Sequence, residues 1–217
     1  MAKRDPQSAF TPPEGAVPGA NRGADKHQRI LDAAVAVFAE KGFFSARIAD
    51  IAERADVADG TVYLYFKSKE DILMTAINTA FDAFMSLART ELKKLSSPVD
   101  RLRRLAFLHL DALGSNRNLA VVFQMELRQS TRFLSEFSHH HLVKYISVVR
   151  EVVRRGQKMG IFRSDVSDGV VAHCLFGAID ELLSSAVFTG RAYDAKATAA
   201  QVIDVLLNGI RSGEKHV

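Results

Sequence analysis

Apolar residues in this chain recur at helical spacing and nowhere alternate over a useful length as a strand would. Ile30, Ala33, Ala34, Val37 and Phe38 repeat at three- and four-residue steps, and Gly42 then supplies a stop. The period returns in Ile48, Ile51, Ala52 and Ala55, with Ser45 expected as N-cap. A break at Asp56-Val57 precedes a short segment from Asp59 to Phe66. Ser68 is placed to cap a long helix whose first turn holds Glu70 and Asp71, the sign the helix dipole prefers. That helix runs to about Leu95 and is stopped by Ser96-Ser97-Pro98. Further helices are expected over roughly 99–113, 117–130, 132–158, 165–188 and 194–211, with Gly114, Gly156, Gly160, Gly190 and Gly213 at or near their ends. The pattern predicts an all-α fold of about nine helices.

The chain has 217 residues, 47% hydrophobic and 25% charged, too apolar for disorder and too charged for a membrane protein. Four of its five prolines fall in residues 1–23, which read as a flexible tail before a compact unit. The longest uncharged apolar stretch, Gly169 to Ile179, is too short to cross a bilayer. No continuous apolar run opens the chain, so no secretory signal is expected. A single cysteine, Cys174, excludes a disulfide framework and points to the cytoplasm.

The segment from Ser45 to Leu73 carries the most chemistry. Two short helices joined by a tight turn make a helix-turn-helix candidate. A DNA-reading helix needs short polar residues able to approach base edges; the second helix begins at Ala58, and Asp59, Gly60 and Thr61 fit that need. Tyr63 and Tyr65 offer hydroxyls to phosphate oxygens, while Val62 and Phe66 should face inward. Lys67 and Arg47 add placed cations, and Lys69, in the first turn of the long helix, is expected to favour a phosphate.

The run Thr61-Val62-Tyr63-Leu64-Tyr65-Phe66-Lys67-Ser68-Lys69-Glu70-Asp71-Ile72-Leu73, preceded by Ile48-Ala49-Asp50-Ile51-Ala52, resembles the signature of the TetR family of bacterial transcriptional regulators. The resemblance implies a DNA-binding domain over residues 24–72 and a ligand-binding and dimerisation domain over 73–217. It also implies a homodimer, formed through the last two long helices, that grips a palindromic operator in double-stranded DNA. Val170, Val171, Leu175, Ile179, Leu182, Leu183 and Ala186 on one helix, with Val202, Val205, Leu206 and Ile210 on the other, are compatible with that packing. Two positions depart from the family pattern. Asp56 stands where the turn often has glycine, so it must adopt a left-handed conformation, and Ala58 stands where Ser or Thr often begins the reading helix, leaving Asp59 to cap it.

A second resemblance lies further on. Val122-Phe123-Gln124-Met125-Glu126-Leu127-Arg128-Gln129-Ser130, Phe176-Gly177-Ala178-Ile179-Asp180-Glu181 and Tyr193-Asp194 look like the TetR-type repressors of fatty-acid degradation, which release DNA on binding long-chain acyl-CoA. That likeness implies an effector, rather than a cofactor, held in an apolar tunnel with basic groups at its mouth. Phe107, Leu110, Phe123, Met125, Leu127, Phe133 and Phe176 are candidates for the wall, with Arg128 in the same ligand-binding set, and Arg104 and Arg154 are candidates for the phosphates. The alternative is a sensor of a hydrophobic drug or aromatic molecule controlling an efflux or catabolic gene.

Enzyme readings fare poorly. His139-His140-His141 are consecutive, so on a helix they point about 100° apart and cannot close on one metal. Asp180 and Glu181, with His173 nearby, read as helix caps or inter-helix bridges, as do Glu126 and Arg128, which are two apart and point to different faces. No phosphate loop or nucleophile elbow is present. Charge placement sharpens the functional reading. Residues 1–72 carry 10 Lys+Arg against 11 Asp+Glu, a net of −1, while residues 73–217 carry 19 against 14, a net of +5. A reading head without a positive field must bind DNA through a few placed groups.

Overall fold

Ten α-helices and three short π or 3-10 segments, with no strand, make up residues 21–208, which the computed structural model describes. They are α1 (Asn21–Lys41), α2 (Ile48–Arg54), α3 (Asp59–Tyr65), α4 (Lys69–Lys93), α5 (Pro98–Gly114), α6 (Arg117–Val121), α7 (Thr131–Phe137), α8 (Val143–Lys158), α9 (Asp168–Thr189) and α10 (Ala195–Asn208). The all-α expectation holds. Of the expected tail, residues 1–20 lie outside the described residues, and residues 21–23 already belong to α1.

Local chemistry explains most helix ends. The Ser68 hydroxyl accepts from the Asp71 N–H at 3.2 Å, and Ser97 does the same for Asp100 at 3.3 Å with Pro98 in the first turn of α5. Ser45, however, is not the N-cap of α2. Arg47 holds that position in extended conformation, and the Asp50 carboxylate accepts its N–H at 2.9 Å. The reason is a turn closed from Ala46 N–H to Gly42 O at 3.1 Å, which carries the chain past Ser45 before the helix can begin.

Two long helices expected from periodicity are each interrupted. The 117–130 stretch becomes α6, a π turn over Val122–Glu126 and a 3-10 turn over Leu127–Gln129. The 132–158 stretch becomes α7, a π turn over Ser138–Leu142 and α8. Apolar spacing cannot separate four- from five-residue hydrogen bonding over a single turn, and π turns of this kind gather at functional segments.

The buried side chains form two clusters. One joins Ile30, Val37, Phe38, Ile51, Val62 and Phe66 of α1–α3 to Ile72, Leu73 and Ile77 at the start of α4. The other fills the space between the rest of α4 and α5, α8, α9 and α10. The boundary expected after residue 72 thus falls inside α4, whose first turns belong to the head's core. On α9 the expected apolar face divides in two. Ala172, Leu175, Ile179, Leu183 and Val187 point inward, whereas Val170, Leu182 and Phe188 are exposed. By length and composition α9 could cross a membrane, a property the count of its uncharged stretch overlooked, but its inner stripe is core packing. On α10, Ala199 and Ile203 are buried and Val205 is exposed, while Ile210 lies outside the described residues.

Candidate functional site

The helix-turn-helix is held rigid from α1. The Arg29 guanidinium donates to the carbonyls of Ala55 and Asp56, the latter at 3.2 Å, bracing the end of α2 and the turn together. Asp56 takes φ 53°, the left-handed conformation that the departure from glycine requires. Val62 and Phe66 are buried, and with their side chains anchored α3 turns its opposite face outward. Ala58, Asp59, Gly60, Tyr63 and Lys67 are exposed there, with Ser45 and Arg47 exposed at the approach to α2 and Thr61 half-buried. The Lys41 ammonium, 2.8 Å from Asp50, draws that carboxyl below its ordinary range, so the acid at the start of α2 stays ionised and paired.

Three expected roles change. Ala58 occupies the N-cap of α3 without a side-chain bond and Asp59 follows as its first residue, so Asp59 is not the cap. Tyr65 turns away from the outer face. Its ring meets His27 of α1 edge-on at 6.0 Å, and a methyl added at Gly23 would lie 3.9 Å from its hydroxyl. Lys69 does not reach outward. Its ammonium donates to Phe44 O at 3.1 Å and Ala46 O at 2.9 Å and sits 4.7 Å from the centre of the Phe43 ring. Its expected phosphate contact gives way to clamping the turn between α1 and α2, because two carbonyls and a ring face satisfy the cation locally.

Of the expected ligand wall, Leu110 is buried in the larger cluster, and Phe107, Phe123, Met125 and Phe176 pack against it half-buried. Leu127 and Phe133 do not belong to that wall. Both are buried in the head's cluster, Phe133 edge-on to Phe43 at 5.3 Å, because the 3-10 turn and α7 swing this segment under α1. Residues that sequence reasoning passed over complete the interior: His109 stacks on Phe176 at 6.0 Å and meets Tyr145 edge-on at 5.2 Å, with Phe84 beyond. His109 Nδ1 lies 3.3 Å from the Tyr145 hydroxyl. Their only sequence signal was a polar ring inside an apolar helical stripe.

The expected phosphate cations are all partnered. Arg104 binds Glu91 at 2.6 Å and lies over Phe107; Arg154 approaches Asp168 at 3.5 Å, beside Arg150 at 3.0 Å. Arg154 also shares an exposed face of α8 with Glu151, Arg155 and Lys158. Arg128 contacts both oxygens of Asp180, at 2.7 and 2.6 Å, and Asp180 also accepts from Gln124 at 3.1 Å. Gln124 in turn accepts from the Ser184 hydroxyl at 2.7 Å. Asp180 is therefore a bridge, as expected, joining the π turn to α9. His141 turns inward to Asn78 at 2.6 Å while His139 and His140 are exposed, so the three histidines diverge.

One contact crosses between the two clusters' territories. Glu126, buried at the end of the π turn, accepts the Phe43 N–H at 2.7 Å. The segment 122–133 therefore touches both sides at once: Gln124 and Arg128 hold the core through Asp180, while Glu126, Leu127 and Phe133 hold the head.

Comparison with known proteins bears on this arrangement. Residues 30–75 match the model described as bacterial regulatory proteins, tetR family, and residues 77–209 match the YsiA-like protein C-terminal region. The chain belongs to the TetR family. It is 33% identical to the fatty acid metabolism regulator protein of Bacillus subtilis over 86% of this chain and 96% of that one. The crystal structure of the regulator FadR from Bacillus subtilis in complex with stearoyl-CoA matches with a TM-score of 0.80 and 32% identity, covering 85% of this chain and all of that one. The fatty acid degradation regulator FadR from Bacillus halodurans matches with a TM-score of 0.81 and 33% identity, over 86% of this chain and 96% of that one. These TetR family proteins are transcriptional regulators, not enzymes, and the reading of this chain as a DNA-binding regulator stands with them.

Proposed function

We propose that this TetR family protein represses genes of fatty-acid degradation and leaves its operator when a long-chain acyl-CoA binds the helical core. The observation that carries this reading is the likeness, over nearly the whole chain, to a regulator crystallised with stearoyl-CoA. The interior agrees with it. Phe84, Phe107, Phe123 and Phe176 supply apolar, reorientable surface for an acyl chain, and the exposed Arg154, Arg155 and Lys158 at the end of α8 suit phosphate groups.

In this reading the closed aromatic packing is the DNA-binding state. An acyl chain entering the interior displaces the Phe176, His109 and Tyr145 rings and shifts the neighbouring π turn. Glu126 carries that shift to Phe43, and so to the turn that Lys69 clamps. An effector moves this equilibrium only by its difference in affinity for the two states. The exposed stripe of Val170, Leu182 and Phe188 on α9, with Val205 on α10, is the surface by which two copies pair and set two α3 helices in successive major grooves. The protein works in the cytoplasm, beside the chromosome.

A gel-shift titration with acyl-CoAs of graded chain length tests the reading. Release that strengthens with chain length is expected. Indifference to every acyl-CoA, with aromatic drugs releasing the operator instead, overturns it in favour of a drug sensor.

A further inference from the structure

The outer face of α3 carries a leucine that no contact within the protein explains. Leu64 is 82% exposed, more than Phe44 at 67% or Tyr63 at 60%. The helix is otherwise economical, since Val62 and Phe66, two residues to either side, are buried and direct Leu64 away from the head. Gly60 lies one turn before Leu64 on the same face. A methyl placed on Gly60 would meet no atom within 4 Å, so neither packing nor a left-handed backbone asks for glycine there. Glycine also weakens a helix. The face thus presents a bare backbone beside a bare leucine, an arrangement costly in water and suited to a surface that approaches closely and bears methyl groups.

The major groove offers one such group, the C5-methyl of thymine. The head's net charge of −1 over residues 1–72 adds weight to apolar contacts, because no broad positive field supplies the affinity. We propose that Leu64 reads a thymine methyl in each operator half-site, with Gly60 letting the base edge come close. This rests on the assignment of α3 as the DNA-reading helix.

The test uses the full chain and a duplex that it selects from a random pool. Each thymine is replaced in turn by deoxyuridine, which removes only the methyl. The wild type should lose about fourfold in affinity per half-site at one symmetry-related thymine, the effect of one buried methyl. Leu64→Ala should bind thymine and uracil equally at that position and keep wild-type thermal unfolding. Leu64→Asn should select a different base there, adenine being the partner of an amide, with the rest of the operator unchanged. Equal sensitivity to uracil in wild type and Leu64→Ala, or an unchanged selection by Leu64→Asn, overturns the proposal and leaves Leu64 for a protein partner. If the wild type selects no duplex at all, the DNA-reading assignment falls first and takes this one with it.

Discussion

Glu126, at the end of a π turn in the core, holds the backbone N–H of Phe43 in the head at 2.7 Å, and the carboxylate is buried. Removing it leaves an N–H without a partner away from water, a cost of about 1–3 kcal/mol. Glu126→Ala should therefore unfold at lower urea and respond less to effector, whereas Glu126→Gln, which still offers an oxygen, should retain most of both. A wild-type effector response in a folded Glu126→Ala protein would break the proposed path.

Lys69 and Tyr63 stand in the same motif but should fail differently. The Lys69 ammonium holds two carbonyls of the turn, and hydrogen bonds to charged groups contribute about 1.5–3 kcal/mol. Lys69→Ala should lose stability and operator binding together. Tyr63→Ala, at a site 60% exposed, should lose operator binding with an unchanged melting temperature. Equal destabilisation of the two variants would contradict the division of roles.

Two glycines predict opposite signs. At Gly156 a methyl would lie 2.1 Å from the Phe162 ring, so Gly156→Ala should destabilise by about 1–3 kcal/mol through overpacking. At Gly60 the space is open, and Gly60→Ala should stabilise by up to about 1 kcal/mol while weakening operator binding. Calorimetry on both variants, with a gel shift on the second, checks the pair.

Burial pushes the His109 imidazole down to about 4 from its ordinary 6.5, with the charge of Asp180 pulling weakly the other way. Its folded value lies below its unfolded one, so between those limits the unfolded chain binds more protons. The contribution of a neutral His109 is thus complete above pH 6.5 and is lost as pH falls toward 4. Carboxylates add slope of their own, so the informative quantity is the difference between wild type and His109→Asn. That difference should shrink from pH 7 to pH 4; a flat difference would place His109 in water.

Interrupting Arg128–Asp180 should barely change stability, since Arg128 is 44% exposed and such pairs contribute about 1 kcal/mol or less. Asp180→Asn keeps the contact to Gln124 and should nonetheless alter the acyl-CoA concentration that releases the operator, read by the same gel shift.

The sequence by itself determined the all-α class, several of the helices and the reading head. Those are local properties: apolar period, the cap at Ser68, the stop at Ser96-Ser97-Pro98, and a motif whose inward Val62 and Phe66 fix the outward face of α3. Even the left-handed Asp56 was legible, through the family resemblance that places glycine at that position. Tertiary structure decided what each polar or aromatic side chain spends itself on. Lys69 went to carbonyls 23 and 25 residues away, Phe133 to the head's core, and Tyr65 to α1. The apolar face of α9 divided into a core stripe and an exposed one for the same reason. Periodicity reports that a face is apolar, but which neighbour covers it depends on how helices far apart in sequence pack, and on π turns that shift the register by one residue between them.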